Sequence, residues 1–279
     1  MKLVSMINNL TEAGMLSNYT DVFFLKNDLV SVTNLEKLTK YNKDIILDFS
    51  CMVTPKDLNE VIKKINLFID FNCLFYITDL GLAYYFKEAG CIERVIYDPV
   101  TMITNSLDAK EYFDYGFNAI GISNEITLKD TKEIISKTKV KAFLQVFGYR
   151  IMFNSRRKLV SLYLDKINKH SKLENMYLKE STRNDFYPIT EDEYGTKIYR
   201  SYCLNLLDGL LDLDLEYAFL TNLNNEFDKY LEVVKNYRNY LNGANLNECI
   251  DKFNTLDIKT EDGFKFKDSI YNKELFFIN

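Results

Sequence analysis

Short runs rich in Val, Ile, Phe and Tyr recur along the chain, and most are followed by a segment whose apolar residues fall at helical spacing. "DVFFLK" (21–26) precedes "SVTNLEKLTKY", and "DIILDFSC" (44–51) precedes "TPKDLNEVIKKINLFIDF", where Leu58, Val61, Ile62, Ile65 and Phe68 mark one helical face. The same alternation continues through "LFYITD" (74–79), "ERVIYDP" (93–99), "NAIGIS" (118–123) and "VKAFLQVFG" (140–148). "TKIYRSYCL" (196–204) and "EYAFLTN" (216–222) are the last strand candidates, before a helical "NEFDKYLEVVKNYRNYL". A strand–helix unit recurring every roughly 22 to 25 residues is the pattern of parallel sheets with right-handed crossovers. Neither G-x-G-x-x-G nor a G-x-x-x-x-G-K-[ST] loop is present, which favours a closed barrel over an open nucleotide-binding sheet. The expected fold is therefore α/β, a TIM-like (β/α) barrel, regular or irregular, over 1–242, with a C-terminal extension at 243–279.

The totals narrow the chemistry. A chain of 279 residues buries a sizeable core without help from disulfides or metal. Its net charge of −5 argues against a protein that coats nucleic acid through a strong positive field, though a local basic site remains compatible with it. The five cysteines form no C-x-x-C pair and read as reduced, buried thiols. No apolar run reaches membrane-span length and the N-terminus lacks a signal-type core, so the expectation is a cytoplasmic protein with no membrane contact. The single histidine, His170 in the polar "INKHSK", reads as a surface residue. That leaves no imidazole for a Ser–His or Cys–His mechanism and no multi-histidine zinc site.

In such barrels the residues that follow each strand face the functional mouth. That rule selects Asp79, then Asp98, Thr101 and Asn105, then Ser123, Asn124 and Glu125. The stretch "VKAFLQVFGYRIMFNSRRKLV" adds Gly148, Tyr149, Arg150, Ser155, Arg156 and Arg157, and a later loop adds Glu180, Arg183 and Tyr187. Each has a plainer reading. Asp79, Asp98 and Asn124 suit helix caps, Glu125 suits a first helical turn, and "SRRK" suits a solvated helix start. Against the last reading, arginines at a helix N-terminus oppose its dipole. Gathered at one mouth, Arg150, Arg156 and Arg157 would offer planar donors to phosphate or carboxylate, with Tyr149 and Phe153 as stacking surfaces. A nucleic acid or the acidic patch of a neighbouring subunit would suit this mixture equally.

Around this loop the sequence resembles the collagenase-like peptidases of family U32, over about residues 75–225, and is most similar to the short, cysteine-poor members from low-GC Gram-positive bacteria. The family signature is a strand leading to His-Gly, a cysteine, then Ser-Gly-Arg-Cys and a serine. Gly148, Ser155, Arg157 and Ser161 match it, whereas Phe147 stands for the histidine, Ile151 and Lys158 for the two cysteines, and Arg156 for the second glycine. "TDLG" (78–81), "YDPVTMITN" (97–105, retaining Asn105), "SNEITLKD" (123–130, retaining Glu125) and "DFYPITEDEYGTKIYRSYCLNLLDGL" resemble further family segments.

The resemblance implies two activities. Members carry a protease label, yet several are implicated in oxygen-independent hydroxylation of RNA or a quinone through a four-cysteine iron–sulfur cluster. Without both signature cysteines this chain is expected to hold no cluster; no metal ligands and no cofactor are assigned, and whether a metal ion visits the mouth stays open. The first expectation is a cluster-free partner of a larger cysteine-bearing paralogue in tRNA uridine hydroxylation. Tyr149, Arg150, Ser155, Arg156, Arg157, Asn105 and Arg183 would then bind tRNA, a small carboxylate or the partner. The second is a peptidase in which Asp79 or Glu125 activates water, alone or on a borrowed metal ion. A third is a non-enzymatic barrel with a protein-binding mouth. Whether the chain catalyses anything alone stays open.

Overall fold

The computed structural model describes residues 1–169, 173, 175–223 and 226–267. His170 and the end of the C-terminal extension (268–279) lie outside the described residues. In chain order the elements begin β1 (Lys2–Ile7), α1 (Leu10–Leu16), β2 (Val22–Leu25), α2 (Val32–Thr39), β3 (Asp44–Phe49), α3 (Leu58–Asn66) and β4 (Leu74–Ile77). They continue with α4 (Leu80–Glu88), β5 (Val95–Tyr97), α5 (Ser106–Asp114), β6 (Ala119–Gly121), α6 (Leu128–Thr138), β7 (Ala142–Ser155) and α7 (Leu159–Lys166). The remainder is β8 (Met176–Lys179), β9 (Phe186–Asp192), β10 (Gly195–Asn205), β11 (Tyr217–Leu220), α8 (Phe227–Leu241), α9 (Leu246–Asn254) and β12 (Thr260–Glu261).

β1 through β7 pair in sequence order, all parallel, and β11 closes the ring by pairing with both β7 and β1. The fold is a closed (β/α) barrel of eight parallel strands, as the alternating pattern predicts. Alternation along each strand sorts the side chains. One set, including Leu3, Phe23, Ile45, Leu47, Phe75, Ile77, Leu144 and Val146, packs outward under the helices. The other fills the lumen: Val4, Val22, Phe24, Ile46, Tyr76, Ile96, Ala119, Phe143, Tyr217 and Phe219. The lumen is dominated by aromatic rings in contact, with Phe24 and Phe219 centroids 4.5 Å apart and Tyr76 and Phe143 5.3 Å apart. Each buried ring of this kind stabilises by roughly 1.5–3 kcal/mol.

Three features depart from the sequence reading. A strand precedes "DVFFLK": β1 lies in "KLVSMI", where Ser5 and Lys2 interrupt the apolar signal. β7 does not end at Gly148 but runs on to Ser155. The irregular stretch before residue 196 contains β8 and β9, and β10 joins them to the extension of β7 as an antiparallel arm. Gly148 makes this possible. Its φ of +111° turns the strand away from β11, and a Cβ there would stand 2.0 Å from Thr221 Oγ1.

α9, β12 and the turn after it pack on the body. Asn236 donates to the Cys249 carbonyl (2.6 Å), β12 pairs with β10, and the Leu128 amide donates to the Lys265 carbonyl (3.1 Å). Among the described residues no helix is long and apolar enough to cross a membrane. Gly148→Ala should destabilise the protein by more than about 2 kcal/mol in urea unfolding. Gly90→Ala, also at positive φ but with open space around it, should cost only about 1 kcal/mol.

Candidate functional site

The inward alternation that places Ile46, Ile96, Phe143 and Phe219 in the lumen carries, two residues on, Asp48, Asp98, Gln145 and Thr221 to its C-terminal layer. Tyr76, from the layer below, donates its hydroxyl to Asp98 Oδ2 at 2.8 Å. Asp98 Oδ1 accepts from the Val100 amide at 2.8 Å. Val100 has φ +66°, a conformation that a β-branched residue adopts only under strain, and the Thr101 amide closes the turn onto the Pro99 carbonyl at 2.8 Å. Gly121 makes room beneath, since a Cβ there would stand 2.2 Å from the Asp98 carboxyl carbon. Gln145 donates to Thr221 Oγ1 (3.1 Å) and to the Tyr149 carbonyl (3.2 Å). Tyr76, Asp98, Val100, Thr101 and Gln145 line a small cavity with Ile122, Glu125, Arg150 and Ile151.

The arm reaches over this mouth. Its tip is tied across the ring to the β3–α3 loop, where Arg156 bonds Asp57 Oδ2 at 2.7 Å and the Glu193 carbonyl at 2.8 Å. Tyr199 of β10 pairs with Ile151, which lines the mouth, and alternation puts Lys197 on the same face, within electrostatic reach of Asp48. Burial works against a charged Lys197, but Tyr199, Asp48 and Asp192 hold its ammonium above its ordinary range. Burial pushes the Cys51 thiol up to about 12, so it is no thiolate at neutral pH. Burial also raises the Asp98 carboxyl, against its bonds from Tyr76 and Val100. A carboxyl so raised, bonded to a phenol and facing a cavity, is chemically suited to exchanging a proton.

The three guanidinium groups expected to gather do not form one cup. Arg150 is 4% exposed and turns to the C-terminal extension, donating to the Asn124 carbonyl (2.8 Å) and pairing with Glu261 (3.3 Å) and, more loosely, Glu125 (3.8 Å). Burial and the nearby Arg200 push its pKa down. Arg156 is engaged with Asp57, and Arg157 is exposed at the tip. The physical reason is local carboxylates: Glu261 and Asp57, far off in sequence, each claim one arginine. Asp79 caps α4 through the Leu82 amide (3.0 Å), and Asn105 caps α5 through the amides of Leu107 and Asp108 (both 3.0 Å). Glu125 is exposed beside Arg150, and Tyr149 is half-buried in β7. Ser155 accepts from the Arg157 amide (3.2 Å), and Arg183 lies in the β8–β9 turn with Glu180 (3.3 Å) and Tyr187. Tyr76, Gln145, Lys197 and Tyr199 went unselected. The alternation in "LFYITD" could have marked Tyr76 as inward-facing, but nothing local marks Lys197.

A four-thiolate cluster does not fit these residues. Ile151 lines the mouth and Lys158 is exposed before α7. The five cysteines are all buried and dispersed: Cys51 follows β3, Cys73 and Cys91 lie at the opposite barrel end, Cys203 is in β10 and Cys249 in α9. Among the described residues no group of three or more His, Cys, Asp or Glu side chains is arranged to hold a metal ion.

Because the folded-state pKa of Asp98 is raised, its stabilising share is complete below the ordinary aspartate value and is lost as pH climbs through the raised one. Asp98→Asn keeps the shape without the buried charge. At neutral pH its thermal midpoint should equal or exceed that of the parent, while whatever chemistry the mouth performs should collapse. A lower midpoint would mean that the ionised carboxylate stabilises the fold.

A family model described as "Peptidase family U32" matches residues 24–248. The tRNA hydroxylation protein P2 of Bacillus subtilis (strain 168) is 26% identical over 171 residues, 54% of this chain and 55% of that protein. The chain thus spans about half the length of the curated relative it matches. Among solved structures it is similar, at 16% identity, to the 3-dehydroquinate dehydratase from Aquifex aeolicus VF5 (TM-score 0.38; 53% of this chain, 79% of that one). It is also similar, again at 16% identity, to 3-hexulose-6-phosphate synthase (TM-score 0.36; 61% and 87%). With most of its length matched by one family model, and with the barrel and the altered signature strand described above, the chain belongs to peptidase family U32.

Proposed function

We propose that this chain serves tRNA hydroxylation as a cluster-free subunit, acting with a larger cysteine-bearing member of the same family. The observation that carries the reading is the pair of signature positions on and after β7, where thiolates are replaced by Ile151 and Lys158. The remaining cysteines stand too far apart in the fold to compensate. A chain of this family without thiolates at those positions has no means of its own to hold the cluster, so the redox step falls to a partner. The similarity to a protein named for tRNA hydroxylation supports the substrate class. The mouth keeps a half-buried acid, Asp98, bonded to the Tyr76 hydroxyl, which suits it to binding and proton handling.

Asp79 and Glu125 give the peptidase name little support. One Asp79 oxygen is used in capping α4, and Glu125, which lines the cavity, stands 3.8 Å from the Arg150 guanidinium.

Deleting the gene and analysing digested tRNA by mass spectrometry should remove the hydroxyuridine-derived nucleosides. The parent gene should restore them and the Asp98→Asn gene should not. Affinity purification from the native cell should bring down a cysteine-bearing relative. An unchanged nucleoside profile in the deletion strain overturns the proposal.

A further inference from the structure

One face of the arm continues outward from the mouth. Tyr199 on β10 pairs with the mouth-lining Ile151, alternation places Lys197 on that same face, and the register partner of Lys197 on β9 is Thr190, whose hydroxyl lies 3.4 Å from that of Tyr199. Alternation puts Pro188 and Phe186 on the same face as Thr190, and the β8 register adds Tyr177 opposite Pro188 and Lys179 opposite Phe186. The roof of the mouth therefore extends into a two-ring surface. Tyr177 is 48% exposed and Phe186 is 53% exposed. Their rings meet edge to face at 6.4 Å, and Lys179 Nζ stands 5.0 Å from the Phe186 ring centre.

Charge identifies what this face can receive. Residues 149–205 hold eleven Lys and Arg against seven Asp and Glu, a surplus of four, whereas the whole chain is at −5, which leaves −9 for the rest. This segment, the arm together with α7, is the cationic part of an acidic molecule, and Arg157, Lys158, Lys166 and Lys169 around α7 and Lys179 on β8 are all exposed. Protein interfaces are depleted in lysine at their centres. Exposed aromatic rings interleaved with lysine and arginine suit unpaired nucleotides, whose bases stack while their phosphates meet cations.

We propose that the arm is a binding platform for single-stranded RNA. Tyr177 and Phe186 stack on bases of an unpaired loop, Lys179 and the cations at the tip hold its phosphates, and the strand passes along the roof toward the mouth. The proposal rests on the RNA-directed reading above and specifies where that RNA would bind.

The test uses the purified full chain and two fluorescein-labelled RNAs, a hairpin with an unpaired loop and a fully paired duplex of the same stem, titrated by anisotropy over a salt series. The hairpin should bind more tightly than the duplex. The double variant Tyr177→Ala/Phe186→Ala should weaken hairpin binding about 10-fold or more and leave duplex binding unchanged, and Tyr177→Phe/Phe186→Tyr should bind like the parent. Lys179→Ala should flatten the salt dependence. All these side chains are exposed, so circular dichroism and the thermal midpoint should not move. Equal affinity for hairpin and duplex, or parental hairpin binding by the alanine double variant, overturns the platform. So does an alanine double variant that keeps hairpin binding but no longer captures the cysteine-bearing relative, because the face would then be a protein interface. Unchanged tRNA nucleosides on gene deletion, together with ring-dependent hairpin binding, would sink the hydroxylation reading and leave the platform standing.

Discussion

Gly148 lets one strand serve two sheets. Up to Phe147, β7 is a barrel stave, paired on one side with β6 and on the other with β11. At Gly148 the backbone takes φ +111° and passes so near Thr221 that no side chain fits. Beyond it the strand is paired with β10 and leaves the ring. Only glycine combines that dihedral with that close approach. The roof over the mouth, the position of Lys197 and the aromatic face beyond it all follow from this turn.

The arginines that draw attention in the sequence hold that arm in place. Arg150 ties its root to the C-terminal extension through Glu261, and Arg156 ties its tip across the mouth to Asp57. The two pairs differ in kind. Arg150 is nearly inaccessible, so its carboxylate and carbonyl partners offset a large desolvation cost and fix geometry more than they add stability. Arg156 and Asp57 are partly exposed, and Asp57 is held below the usual carboxylate range first by its bond from Arg156 and then by one from Thr54.

Much of the barrel was legible because each of its rules is local. Strands such as "DIILDF" and helices such as "LNEVIKKIN" declare themselves by the spacing of apolar residues, which depends only on the geometry of one element. β1 was missed because Ser5 and Lys2 break its pattern, although Leu3 and Ile7 pack outward and Val4 packs inward as in the other staves. β8 and β9 were missed because an antiparallel ribbon with two partly exposed faces has weak alternation. Among mouth positions, the rule that they follow strand ends includes Asp98, which lines the cavity. It also drew in Asp79 and Asn105, whose side chains cap helices.

By itself the sequence determined the alternation of strands and helices from β2 to β7, the barrel class that this alternation implies and the glycine at the end of its sixth predicted strand. Those are properties of residue type and spacing along one chain. The tertiary structure alone decided which carboxylate each arginine meets, that Asp98 is raised by burial beside Tyr76, and that Lys197 comes within electrostatic reach of Asp48. Such pairings join residues roughly a hundred or more positions apart, or depend on how much water the fold excludes, and neither distance nor dielectric is written in local spacing.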